Sequence, residues 1–226
     1  MTAQQNIKSR SDARSISYSR VKVYLIIKRL VDIVASILLL LLLTPIIIFI
    51  SYCIHKEKAG PILSRQLHSG KNNRPFMMCT FRTMTSPSQV IRELPPLPIL
   101  DLWENGIPNE FTPNMNGHTT ITPIGKILQR YGLHKIPQFV HVLKGEMSLI
   151  GPKAEVPMIT KYYDDYEILR LNIKPGMTGY AQIDNHTNEV KKVSLDLYYL
   201  RHCSGSLDLK IVFQTFLNMV KAKKAN

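Results

Sequence analysis

The chain has 226 residues, 29 Lys and Arg against 16 Asp and Glu, and a formal net charge of +13. That length suits one globular unit plus an accessory segment, and a hydrophobic fraction of 45% excludes global disorder. The charge calls for an anionic partner: lipid headgroups, nucleotide or sugar phosphates, or nucleic acid. Cys53, Cys79 and Cys203 form no CxxC pair, which argues against a zinc ribbon or disulfide framework and fits a reducing cytosol. His134 and His141 lie seven apart and could stack on a helix, but nothing else supports a metal there.

Residues 1–20 are Ser-rich and basic (Lys8, Arg10, Arg14, Arg20) without periodic apolar positions, and read as a flexible arm able to lie on anionic lipid. Residues 21–58 form a membrane-inserted segment. Its apolar run, Leu30–Ile54, carries one charge, Asp32, and would extend roughly 37 Å as a helix against a hydrocarbon core of about 30 Å. Lys22, Lys28 and Arg29 precede the run, while His55, Lys56 and Lys58 follow it, so the positive-inside rule gives no asymmetry. Thr44-Pro45 divides it into halves of roughly 22 and 15 Å, each too short to cross alone. These facts favour a re-entrant helix-break-helix with both ends in the cytosol over a kinked spanning helix. Asp32 is expected at headgroup depth, paired with Lys28 or Arg29.

Residues 59–226 form the cytosolic domain. Pro87 to Pro113 concentrates six of the fourteen prolines and reads as a surface excursion or a lid. Gly60-Pro61, Gly151-Pro152 and Pro175-Gly176 mark turns, and alternating strand patterns are scarce. The expected fold is therefore α+β and predominantly helical, a small globular domain carrying the re-entrant segment and interfacial amphipathic helices. Over Asp208–Lys221, Leu209, Val212, Phe213, Phe216 and Leu217 gather with Met219 and Val220 on one helical face. Ile211 is the exception, on the polar side. Such a face packs on a core or lies in the membrane interface.

Chemistry could sit in two places. Gly60–Gln66 (GPILSRQ), Ser69-Gly70-Lys71 and Phe81-Arg82-Thr83-Met84 set Arg65, Lys71 and Arg82 beside glycine turns that can face phosphates. Further on, Lys126 and Gly132-Leu133-His134-Lys135 lead to Ile136-Pro137. Proline disfavours the α conformation at Ile136, so a helix is expected from Pro137 to Lys144, with His134 and Lys135 just before its anion-attracting N-terminus. No Walker loop, GxGxxG or kinase motif is present.

The linear order of these segments resembles the bacterial sugar transferase family, the monotopic polyprenyl-phosphate phosphoglycosyl transferases that start surface polysaccharide and glycoconjugate assembly. The matching elements are Lys28-Arg29 with Asp32, the proline-interrupted membrane run, GPILSRQ, SGK, FRTM, ITPIGK and IPQFVHVLKGEMSLIGP. KPGMTGYAQ and SLDLYYL…SLDLKI follow in the family's order.

The resemblance implies a domain facing the cytosol on the bacterial cytoplasmic membrane. It implies UDP-sugar and polyprenyl phosphate as substrates and Mg²⁺ as cofactor. In the family, an Asp-Glu pair in a Ser-Leu-Asp-Glu-Leu-Pro-Gln context does the chemistry: the Asp attacks the β-phosphate of the UDP-sugar, forming a covalent phosphosugar intermediate and releasing UMP, and the Glu helps bind Mg²⁺.

That pair is replaced. Leu133 and Pro137-Gln138 fix the register, so the Asp position is His134, the Glu position Lys135 and the Ser position Gly132. The family's Asp-Pro-Arg reads His118-Thr119-Thr120, and its Gly-Pro-Arg-Pro reads Gly151-Pro152-Lys153-Ala154, losing a guanidinium fork. At about 4 Å and an effective dielectric near 20, each like charge costs a cation roughly 4 kcal/mol, so His134 and Lys135 would not hold magnesium.

Three readings follow. His134 could serve as a phosphoryl nucleophile, or Glu146 or Glu155 could be recruited. The chain could instead be a degenerate homologue that binds membrane, substrate, an active homologue or another copy of itself. Nucleic-acid binding has no supporting motif. Lys126 and Lys153 join Arg65, Lys71 and Arg82 as expected phosphate contacts.

Overall fold

The computed structural model describes residues 18–58, 60–85, 121–183 and 189–224, and side chains within 24–218 of these, except 189–191. The arm up to residue 17, the Pro-rich segment 87–113 and His118-Thr119-Thr120 lie outside the described residues.

Helix α1, Tyr18–Lys56, runs for 39 residues with Pro45 inside it. The expected interruption at Thr44-Pro45 is not formed as a break in helical backbone; both residues are helical. Proline removes one donor, and a helix tolerates that where hydroxyls rebond nearby carbonyls. Here the Thr44 hydroxyl donates to the Leu40 carbonyl at 2.8 Å, one residue before the Leu41 carbonyl that Pro45 leaves without its helical donor.

Both ends of α1 dock on one domain. Near its start, the Arg29 guanidinium donates to the carbonyls of Val142 and Leu143. Asp32 is buried and accepts the Leu149 N–H at 3.2 Å, in place of the ion pair expected with Lys28 or Arg29. Near its end, Ile50 and Ile54 join Phe81, Leu128 and Ile136 in a core cluster. Glu57 accepts the Ile124 N–H at 3.1 Å. Between these ends Leu38, Leu41, Leu42, Ile48 and Phe49 are exposed. Such a continuous apolar surface is what a helix presents to lipid.

After α1, strands β1 (Leu63–Ser69) and β2 (Pro75–Phe81) pair antiparallel, from Leu63 opposite Phe81 to Ser69 opposite Pro75. Their turn needs left-handed backbone at Asn72 and Asn73, with φ of 55° and 56°. Asparagine is among the few side chains that tolerate this. Helix α2 (Pro123–Arg130) starts on Thr122, whose hydroxyl accepts the Gly125 N–H at 3.0 Å, and on Pro123 at its first position. Helix α3 (Gln138–Lys144) stops at Gly145, φ 85°.

Strand β3 (Ser148–Ile150) lies parallel to β4 (Gly176–Thr178), with the short helix α4 (Pro157–Thr160) between them in sequence. A Cβ on Gly176 would come within 2.1 Å of the Gly151 backbone nitrogen, so this crossing requires glycine. Helices α5 (Glu189–His202) and α6 (Gly205–Lys224) complete a mixed, mainly helical fold.

Helix α6 packs by the side its pattern marks as polar. Ile211 is fully buried beside Ile150 and Tyr199. Thr215 bonds the Thr178 hydroxyl at 2.8 Å, and Asn218 donates to the Ile183 carbonyl at 2.8 Å. Leu209, Phe213 and Phe216 point away, 72%, 63% and 61% exposed. The pattern's apparent exception is its core contact.

Candidate functional site

His134 and Lys135 lie on a 3₁₀ turn, Leu133–Lys135, entered through Gly132 in the left-handed region at φ 67°. Ile136 is α-helical, φ −52° and ψ −41°, against the expectation set by the following proline. The turn therefore runs directly into α3 and uses amides that would otherwise be free. The N–H groups of Lys135, Ile136, Phe139 and Val140 all bond carbonyls three residues back. What remains for an anion is side-chain charge rather than a bare helix end.

The His134 Nδ1–H donates to the Leu128 carbonyl at 3.2 Å, leaving Nε2 without a protein partner among the described residues. Burial lowers the His134 pKa from its ordinary value, and the Lys135 charge lowers it further. The ring is thus neutral near pH 7, with its lone pair on Nε2. The Lys135 Nζ donates to the Met177 carbonyl at 3.2 Å and to Gln182 Oε1 at 3.5 Å. Burial pushes its pKa down, and the nearby Lys153 charge adds to that. The Gln182 Nε2 amide is buried without a partner.

Of the expected contacts, only Lys153 joins this pair. It is half exposed, 3.5 Å from Glu155. Arg65 on β1 and Lys126 on α2 are exposed. Arg82 is buried and donates to the Ile54 carbonyl at 3.2 Å, capping the end of α1. Lys71 sits on the hairpin turn and borders a cavity at the head of α1.

Neither candidate carboxylate is available at the turn. Glu146 accepts from His141 Nδ1 at 2.6 Å, and His141 Nε2 accepts the Cys79 N–H at 2.9 Å. Those two bonds fix a neutral tautomer in a structural role. Glu155 is buried and lies 3.9 Å from the Arg170 guanidinium. Among the described residues, no group of three or more His, Cys, Asp or Glu is placed to hold a metal ion.

The sequence reading missed the buried pair behind Lys153, in which Arg170 donates to Asp196 at 2.6 Å and to the Tyr163 hydroxyl at 2.9 Å. The signal was the repeated Ser-Leu-Asp-Leu, whose aspartates are Asp196 and Asp208.

A family model described as bacterial sugar transferase matches residues 23–222. The UDP-glucose:undecaprenyl-phosphate glucose-1-phosphate transferase of Klebsiella pneumoniae is 32% identical over 204 residues, 84% of this chain and 39% of that protein. The undecaprenyl-phosphate glucose phosphotransferase of Komagataeibacter xylinus is 32% identical over 212 residues, 88% of this chain and 36% of that protein. The chain thus spans less than two fifths of these relatives' length. The uncharacterized sugar transferase EpsL of Bacillus subtilis (strain 168) is of similar size, 32% identical over 193 residues, 84% of this chain and 86% of that protein. The chain belongs to the bacterial sugar transferase family.

Proposed function

We propose that this chain acts at the cytosolic face of the bacterial cytoplasmic membrane, in polysaccharide or capsule assembly. There it binds the phosphates of a UDP-sugar or polyprenyl phosphate without performing the family's carboxylate-and-metal transfer. The observation that carries this is the cation cluster at the dyad positions: Lys135, held by Met177 and Gln182, beside Lys153. Ammonium groups and a spare amide donor suit a phosphate. They repel Mg²⁺, and the nearby carboxylates are committed to His141, Lys153 and Arg170. Magnesium does not fit this turn. An active homologue would supply the chemistry.

The membrane segment is read as re-entrant. Support comes from the docking of both ends of α1 on one domain, and from the outward apolar face of α6 beside it.

A second reading has its own support. His134 is neutral and presents Nε2, so it could attack the β-phosphorus, forming an N–P bond as the pyrophosphate P–O bond breaks and UMP leaves.

One assay separates the two. The full chain in nanodiscs is given UDP-sugars, Mg²⁺ and undecaprenyl phosphate. We expect no UMP release from the natural chain, and turnover from His134→Asp/Lys135→Glu. UMP release that His134→Ala abolishes would overturn the binding reading in favour of the nucleophile.

A further inference from the structure

A cavity of about 370 Å³ lies between the first turns of α1, strand β3 and the segment entering β4. None of its lining residues belongs to the His134–Lys135 turn, so it is a separate place on the domain. Its wall is apolar, with Leu30, Ile150 and Ile173, and its border carries four cations. Two of these are committed: Lys28 to Asp208 at 2.8 Å, and Arg29 to the carbonyls of Val142 and Leu143. The other two, Lys71 and Lys174, have no hydrogen-bond or ion-pair partner among the described residues.

The free pair is electrostatically poor as it stands. Lys174 is pushed below the ordinary lysine range by burial and then by the Arg29 charge; Asp32 opposes them, and Lys71 adds a smaller push down. An apolar cavity bordered by the half-buried, unpaired Lys174 ammonium, with exposed Lys71 beside it, becomes favourable when an anion enters. A free phosphate would answer the charge and leave the apolar wall unused. The cavity also borders Leu25, Ile26 and Leu30, whose outer surfaces are 38%, 64% and 60% exposed at the head of the membrane helix. A ligand with an anionic head and an apolar chain meets both requirements.

We infer that this cavity holds the phosphate headgroup of a membrane lipid, with Lys71 and Lys174 on the phosphate and the chain leaving along Leu30. The shared chemistry is a lipid-borne phosphate, which either an anionic phospholipid or a polyprenyl phosphate provides. The inference rests on the membrane reading of α1 and not on the fate of the dyad.

The test uses the full chain, stripped of lipid in detergent and returned to phosphatidylcholine micelles. These contain phosphatidylglycerol, undecaprenyl phosphate, inorganic phosphate or no addition, and retained lipids are counted by native mass spectrometry. We expect one anionic lipid per chain, with phosphatidylcholine lost. Lys71→Gln/Lys174→Gln should lower retention about tenfold, and Lys71→Arg/Lys174→Arg should keep it. Preference for phosphatidylglycerol or undecaprenyl phosphate then identifies the source. Equal retention of phosphatidylcholine and phosphatidylglycerol by the natural chain would overturn the inference, even if the Gln variant did not fold. So would a folded Gln variant that keeps its lipid, or displacement of the lipid by inorganic phosphate alone. Because retention is read without nucleotide-sugar, a negative result leaves the reading of His134 and Lys135 untouched.

Discussion

The Lys28 ammonium lies 2.8 Å from the Asp208 carboxylate, tying the head of α1 to the start of α6. Asp208 also accepts the hydroxyls of Tyr24 and Tyr199, each at 2.6 Å. One carboxylate therefore answers three donors from α1 and α5, and burial together with Asp208 raises the Tyr199 pKa far above its ordinary value. The Asp208→Asn variant keeps the shape but strands a half-buried ammonium, with an expected loss of about 3 kcal/mol. Chemical denaturation in micelles measures it. Lys28→Met/Asp208→Leu should cost less than the two single changes added together, because no charge is left behind. Simple additivity would mean the two groups do not interact.

The first aspartate of the repeat, Asp196, gives a pH effect. Burial pushes the Asp196 carboxyl up to about 6, with Arg170 opposing and Glu155 adding. A carboxyl whose folded pKa exceeds its unfolded one binds more protons when folded. Its contribution is therefore greatest in acid and is lost as pH rises through about 4 to 6. Relative to Asp196→Asn, the natural chain should lose stability in that window by at most about 1.4 kcal/mol per pH unit. Melting in micelles at pH 4, 5, 6 and 7 reads the difference, and a flat difference would contradict it.

Much of this was legible in the residues. The membrane run, the glycine turns and the order of motifs fixed the family and the mixed helical fold, because apolar runs and Gly-Pro pairs act locally. Arg82 was not legible. It looked like a phosphate ligand among basic turn residues, yet it serves the Ile54 carbonyl, a partner 28 positions earlier. For Lys71 only the location was illegible, since a hairpin turn puts its tip against whichever neighbour the tertiary fold supplies, here a cavity at the head of α1. Ile136 broke a local rule because the 3₁₀ turn before it supplied the bonds of a helical entrance. Ile211 looked like an error in an amphipathic pattern only while the apolar face was assumed to point inward.

That reversal of α6 leads to a third prediction. With Trp103 changed to Phe, no tryptophan remains, so Phe216→Trp gives a single reporter. The side chain is already 61% exposed, so the change should cost under about 0.5 kcal/mol. In vesicles its emission should shift to the blue, be quenched by brominated acyl chains and resist acrylamide. Acrylamide quenching as strong as that of a free indole would place this face in water.

The last prediction concerns the path of α1. From Arg29 to Ile54 a straight helix would extend about 37 Å. The domain must bridge those same points, from the Val142 carbonyl held by Arg29, through His141 on the Cys79 amide, to Arg82 on the Ile54 carbonyl. That bridge reaches such a length only if every link is stretched in one direction. On the proposed re-entrant reading, a bend near Pro45 would relieve it and bring both ends of α1 to one membrane face. Replacing the native cysteines and introducing Arg20→Cys or Lys56→Cys singly tests this with an impermeant maleimide. Both positions should react in inverted vesicles and neither in intact spheroplasts. Reaction of the two from opposite sides would mean that α1 spans the bilayer, and that its two ends cannot both rest on one domain in the membrane.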